Sequence, residues 1–197
     1  MSEKKTTTKE DFETILPLTF LDVETTGLSP QTGDRICEIA VLRIEKSGKV
    51  LRWHTLINPL RPISPGAQFV NKITEEMICA APEFKQVAKK VLKLIEGSSV
   101  VCHNACFDLS FLAMELAFCN MELPNLSVID TLRISRQHFC FPSNSLCNIA
   151  RSLNIENKLK HRAMADVNTT YKVFRHFWKE LNKKGINRLE EVAFRHF

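Results

Sequence analysis

The sequence has no apolar run near the length of a membrane span, and no charged-then-apolar leader opens it. Both absences lead to the expectation of a soluble, cytoplasmic protein with no membrane partner. Paired C-x-x-C spacing is missing too. The seven cysteines (Cys37, Cys79, Cys102, Cys106, Cys119, Cys140 and Cys147) are odd in number, which argues against a secreted disulfide framework and for reduced thiols. No internal repeat is visible. A large excess of one charge is absent as well, for the formal net charge is only +5. Many proteins with no nucleic-acid role carry as much, so the charge informs only if it surrounds an acidic centre that a polyanion could reach through metal ions.

What is present suits one domain, because 197 residues can bury a sizeable core but fall short of a comfortable two. Residues 1–12 are polar, mixed in charge and without apolar periodicity, and are expected to form a mobile arm. The folded domain is expected over 13–184, with 185–197 packed on it or trailing. Residues 16–24, 35–45 and 49–57 are β-rich and predict three consecutive antiparallel strands. Phe84, Val87, Ala88, Val91, Leu92 and Ile95 recur at helical spacing until Gly97. Residues 98–102 suit a buried parallel strand, and Phe107, Phe111, Met114 and Phe118 are assigned to one face of the helix after it. A strand–helix unit follows from Leu126. Leu146, Ile149, Ala150 and Leu153 predict a short helix, and Thr170, Val173, Phe174, Phe177 and Leu181 a long one. The expected class is α/β, with a mixed five-stranded sheet flanked by helices.

Three segments carry chemistry. A strand through Phe20-Leu21-Asp22-Val23-Glu24 puts Asp22 and Glu24 on one face, since side chains alternate with period two. Two carboxylates so close call for proton uptake or a cation, and hard oxygen ligands favour Mg²⁺ or Mn²⁺. A strand end turning acidic at the surface would look the same. In His103-Asn104-Ala105-Cys106-Phe107-Asp108, Asp108 falls in the first turn of a helix that Asn104 could cap, which is also ordinary helix-start chemistry. Zinc on Cys102, His103 and Cys106 lacks a matching second half. Asp166 lies four, seven and eleven residues before Thr170, Val173 and Phe177, so it extends a core-facing stripe where a carboxylate is costly unless paired or metal-bound. His161, five residues earlier, cannot share that stripe and is expected to hang from the preceding loop over the same site. His138, His176 and His196 are read as surface or satisfied core residues.

Together the motifs F-L-D-x-E-T-T-G-L, H-N-x-x-F-D and H-x-A-x-x-D, in that order, closely resemble those of the DEDDh 3′–5′ exonucleases, particularly the epsilon-type proofreading exonucleases of bacterial DNA polymerase III. The resemblance runs from about Leu16 to Leu181, with Ile57-Asn58-Pro59 and Ser143, Leu146 and Ala150 as weaker landmarks. It implies a ribonuclease H-like exonuclease fold and an exonuclease domain over 13–184. It further implies that Asp22, Glu24, Asp108 and Asp166 bind two divalent cations and that His161 is the catalytic histidine. Thr25, Thr26, Gly27 and Leu28 would contact the terminal nucleotide, with His103, Asn104 and Phe107 lining its pocket. The implied partners are single-stranded DNA or RNA 3′ ends and a DNA polymerase catalytic subunit. The sequence departs from the resemblance at Asn71-Lys72, where a histidine–glycine pair often precedes Ile-Thr. With only residues 186–197 after the last long helix, no polymerase-docking segment is expected behind the fold, and a free-standing enzyme is as compatible with the resemblance as a proofreading subunit. A binding module that has lost catalysis would lack some of the five functional positions, and all are present.

Overall fold

The computed structural model describes residues 15, 17–156 and 161–196; the arm expected at 1–12 lies outside them. Among the described residues six strands form one mixed sheet, in the order β3-β2-β1-β4-β5-β6. Strand β1 (Leu18–Thr25) is antiparallel to β2 (Ile36–Ile44), which is antiparallel to β3 (Val50–Leu56). On its other side β1 runs parallel to β4 (Ser99–Cys102), and β4 parallel to β5 (Leu126–Asp130). The sheet has one more strand than expected. Within 185–197, β6 (Ala193–His196) pairs antiparallel with β5. Four residues of mixed character give almost no period-two signal, and only the open edge of β5 makes them a strand.

Helices cover both faces. On one lie α3 (Phe84–Ile95) and α4 (Ala105–Phe118), which bury Ala88, Val91, Leu109, Leu112 and Leu116 against Leu21, Val23, Val41, Val100 and Val128. On the other, α7 (Ala163–Lys183) lays Val173, Phe174, Phe177 and Leu181 over Leu18, Phe20, Ala40 and Leu42. The preceding helices are α1 (Pro65–Asn71) and α2 (Glu75–Ile78), and α5 (Thr131–His138) and α6 (Leu146–Ser152) lie between β5 and α7. Local chemistry fixes the ends. Glu83 and Gln86 exchange bonds in a capping box at α3, and Gly97 closes that stretch at φ 65°.

The stripe assigned to α4 is misphased. Its buried face is Leu109, Leu112, Glu115 and Leu116 together with Asp108 and Phe111, whereas Phe118 is exposed beneath the Arg35 guanidinium. A helix apolar almost all round offers no unique face to sequence periodicity. Among the described residues, no helix is long and apolar enough to cross a membrane.

Candidate active site

Alternation along β1 builds the first half of the site. Leu18 and Phe20 enter the core beneath α7, and Asp22 and Glu24 continue the same face toward the strand's carboxyl end. Pairing with β4 stops at Phe20↔Val101, and the register with β2 shifts between Glu24 and Thr25. An irregularity there lets the strand leave the sheet just past its acids. The Val23 N–H, on the edge β4 no longer covers, donates to Asp108 Oδ1 at 3.0 Å. Asp108 is buried in the first turn of α4.

Helix α7 supplies the second half. Asp166 sits in its first turn, and one oxygen each of Asp22, Glu24 and Asp166 lie within 4.8 Å of one another. Asp108 borders the same open cavity of about 420 Å³, as do His161, Asn104, Phe107 and His103. His161 holds a left-handed backbone, φ 58°, and its N–H donates to Asp166 Oδ2 at 2.9 Å. For a non-glycine residue that conformation is disfavoured and persists only where neighbouring contacts impose it.

The electrostatics are those of an acidic hole. Burial, then the charges of Asp108, Asp166, Glu24 and Glu38, all raise the Asp22 pKa well above the usual carboxylate value. Glu24 is pushed up to about 8 by burial and by Asp166, Glu38 and Asp108, with Arg162 alone of its main neighbours pulling the other way. Burial raises Asp108 to about 8 despite the Val23 N–H and its own N–H. Such oxygens suit a hard divalent cation, whose charge reverses each of these penalties. Zinc on Cys102, His103 and Cys106 finds no support among the described residues. Cys102 is buried on β4 and Cys106 is exposed, whereas among the described residues Asp22, Glu24 and Asp166 bring their oxygens together as a cation would require.

Several residues expected at the nucleotide turn inward. Thr26 is buried, donating its hydroxyl to Asp34 and accepting the Arg35 N–H, and Thr25 Oγ1 donates to the Gly27 carbonyl at 2.6 Å. A Cβ on Gly27 would run into the Asp34 carboxylate, so a side chain there would displace the group that holds the Thr26 hydroxyl and the Ser29 N–H. Leu28 projects outward, 87% exposed. The His103 ring bridges Thr131 Oγ1 at 2.9 Å and the Asn144 carbonyl at 3.1 Å, and burial holds its pKa below the usual histidine value. Asn104 does not cap α4 with its side chain. It adopts φ 73°, and its N–H donates to Asp130 Oδ1. Asn71, expected as an altered contact near the substrate terminus, is buried, donating to the Thr25 carbonyl at 3.3 Å and accepting the Ile73 N–H at 3.0 Å.

Two residues escaped sequence reasoning. Glu38, opposite Glu24 on β2, is buried and receives Arg162 Nε and Nη2 at 3.0 and 2.9 Å and the Ala163 N–H at 3.2 Å. A lone acid inside the apolar run of 36–44 was the available signal.

A mixed sheet with carboxylates converging where its parallel strands end, from β1 and from two helix starts, defines a nuclease of ribonuclease H-like architecture. The chain belongs to the exonuclease family, whose RNase T-type model, described as Exonuclease, matches residues 19–174. It is 34% identical over 173 residues to the 3′-5′ exonuclease DinG of Bacillus subtilis, covering 87% of this chain and 19% of that protein. It is 33% identical over 161 residues to the DNA polymerase III subunit epsilon of Treponema pallidum, covering 79% and 74% of the two chains. The chain spans 12% of the length of the PolC-type DNA polymerase III of Thermotoga petrophila, to which it is 35% identical. Among solved structures, Exonuclease X in complex with 5′ overhanging duplex DNA superposes with a TM-score of 0.69 at 28% identity, covering 89% of this chain and 97% of that one. Family membership implies a hydrolase dependent on divalent metal, and the donor set fits one.

Proposed function

We propose that this chain is a 3′–5′ exonuclease that removes nucleoside 5′-monophosphates from single-stranded or frayed DNA 3′ ends. Asp22, Glu24, Asp108 and Asp166 would hold two divalent cations, Mg²⁺ or Mn²⁺, and His161 would act as general base. The observation that carries this reading is the meeting of Asp22, Glu24 and Asp166 oxygens within 4.8 Å in an open cavity that His161 also lines. The name of the DinG relative supports the polarity, and the DNA bound to Exonuclease X supports DNA as the substrate class.

In this reaction water attacks phosphorus in line with the departing 3′ oxygen, and His161 accepts the proton of that water. Cations held by Asp22, Glu24, Asp108 and Asp166 would supply the positive charge that makes the water more acidic and offsets charge on the leaving oxygen. The chain's own part is placement: β1 fixes Asp22 and Glu24, α4 fixes Asp108, and the start of α7 fixes Asp166 and His161 together. Asn104 and Phe107 border the cavity where the terminal nucleotide would sit.

The test is degradation of matched 5′-labelled DNA and RNA oligonucleotides, with and without a 3′ mismatch, in Mg²⁺, Mn²⁺, Ca²⁺ and EDTA. Stepwise shortening of DNA in Mg²⁺ or Mn²⁺, with no turnover in EDTA, is expected. Faster RNA decay would redirect the substrate, preference for the mismatch would add proofreading, and full activity after exhaustive chelation would overturn the reading.

A further inference from the structure

Helix α7 begins without a cap of its own, because the Arg162 side chain makes no capping bond. The first helical N–H, that of Ala163, instead donates to Glu38 Oε2 at 3.2 Å. The same carboxylate receives the Arg162 fork through Nε and Nη2, so β2 grips two successive residues at the helix start. Immediately before that grip stands His161 in its left-handed conformation, and four residues after Arg162 stands Asp166, whose N–H bonds the Arg162 carbonyl at 3.1 Å. Because Glu38 lies opposite Glu24 in the sheet register, the anchor and the acids belong to one rigid surface.

We infer that Glu38 and Arg162 are a positioning pair, which sets Asp166 and the His161 ring against Asp22 and Glu24. This rests on the roles proposed above for His161 and Asp166. Glu38 is buried but the Arg162 side chain is 37% exposed, and an ion pair so open to solvent contributes little stability. What the fork does supply is direction, holding the helix start in register with the strand. Loosening it displaces a base and a cation ligand in one movement, and a misplacement of about 1 Å costs on the order of 10²-fold in rate.

A control for mere stability exists within the chain. Arg35 makes an equivalent fork with buried Glu115, Nε and Nη2 at 2.8 and 2.7 Å, on the face away from α7. Arg162→Lys and Arg35→Lys each keep a positive charge and remove a fork. Both are expected to lower the melting temperature. Only Arg162→Lys is expected to lower kcat, about 10- to 100-fold, with KM for a DNA single strand unchanged and Mn²⁺ binding weakened in a calorimetric titration. Should Arg162→Lys fail to fold, Glu38→Gln is expected to show the same split. Equal kcat losses in the two lysine variants, or a loss confined to KM, would overturn the inference. Normal turnover by His161→Ala and Asp166→Ala would instead remove the functional reading on which it rests.

Discussion

Two sets of acids lie in or against this one sheet, and their neighbours differ. Glu38 and Glu115 are each 2% exposed at the side chain, and each is met by a forked arginine and a backbone N–H, from Ala163 and Ile36 respectively. Asp22 and Glu24 are raised first by burial and then by other carboxylates, with Arg162 the one positive charge among their main neighbours, pulling Glu24 down. The fold can evidently satisfy a buried carboxylate with its own groups, and does so twice. Where it gathers acids against acids, the missing positive charge is left for a ligand. Burial of a charge does not mark a functional site; the sign of its neighbours does.

The largest test of that contrast is Asp22→Ala. Turnover is expected to fall to background, because a metal ligand is lost, yet the metal-free protein is expected to melt at the same or a higher temperature. Oligonucleotide hydrolysis and thermal unfolding in EDTA measure the two quantities. Near wild-type hydrolysis, or a clear loss of stability, would place Asp22 with the satisfied acids. Glu115→Ala is the opposite case. It leaves a partly exposed Arg35 and the Ile36 N–H without their partner and is expected to cost about 1–3 kcal/mol of stability. Below its lowered melting temperature, kcat should match wild type, and a chemical-denaturation series with single-turnover rates would show whether the two separate.

The acids against acids were legible in the sequence; the satisfied ones were not. Asp22 and Glu24 announce themselves by strand alternation, and Asp166 by its place on the stripe of Thr170, Val173 and Phe177. Each needs only its own element's periodicity. Glu38 and Arg162 are 124 positions apart, and nothing local in either segment states that they meet. The inward turn of Thr26 and Asn71 was equally hidden, because it depends on Asp34, Arg35 and Ile73 across a loop. The misphased α4 and the missed β6 fail for a related reason: one had too much apolar surface to pick a face, the other too little sequence to show a period.

The smallest expected effect is also the most direct reading of the contrast, because it needs no substrate. Glu24 and Asp108 have folded-state pKa values raised to about 8, above the 4.5 and 3.8 of unperturbed groups. A carboxyl that holds its proton in the fold but has lost it in the unfolded chain stabilises the fold, and that contribution disappears as pH rises through the folded value. His103 acts in the other direction, since a depressed histidine gains stability as pH rises, but its gain is complete above the ordinary value of 6.5. The buried thiols Cys37 and Cys102, raised from 9.0, lose theirs only above that value. Between pH 7 and 8.5 the acids are therefore the groups that change. In EDTA, stability is expected to fall across that window by about 1–2 kcal/mol after allowance for solvent screening. For a chain of this size that is roughly 2–8 °C in melting temperature. Saturating Mg²⁺ should flatten the slope, because the bound cation takes over from the protons, and Glu24→Gln should reduce it in EDTA. A melting temperature in EDTA that held steady or rose from pH 7 to 8.5 would mean that these acids are already satisfied by the fold, as Glu38 and Glu115 are.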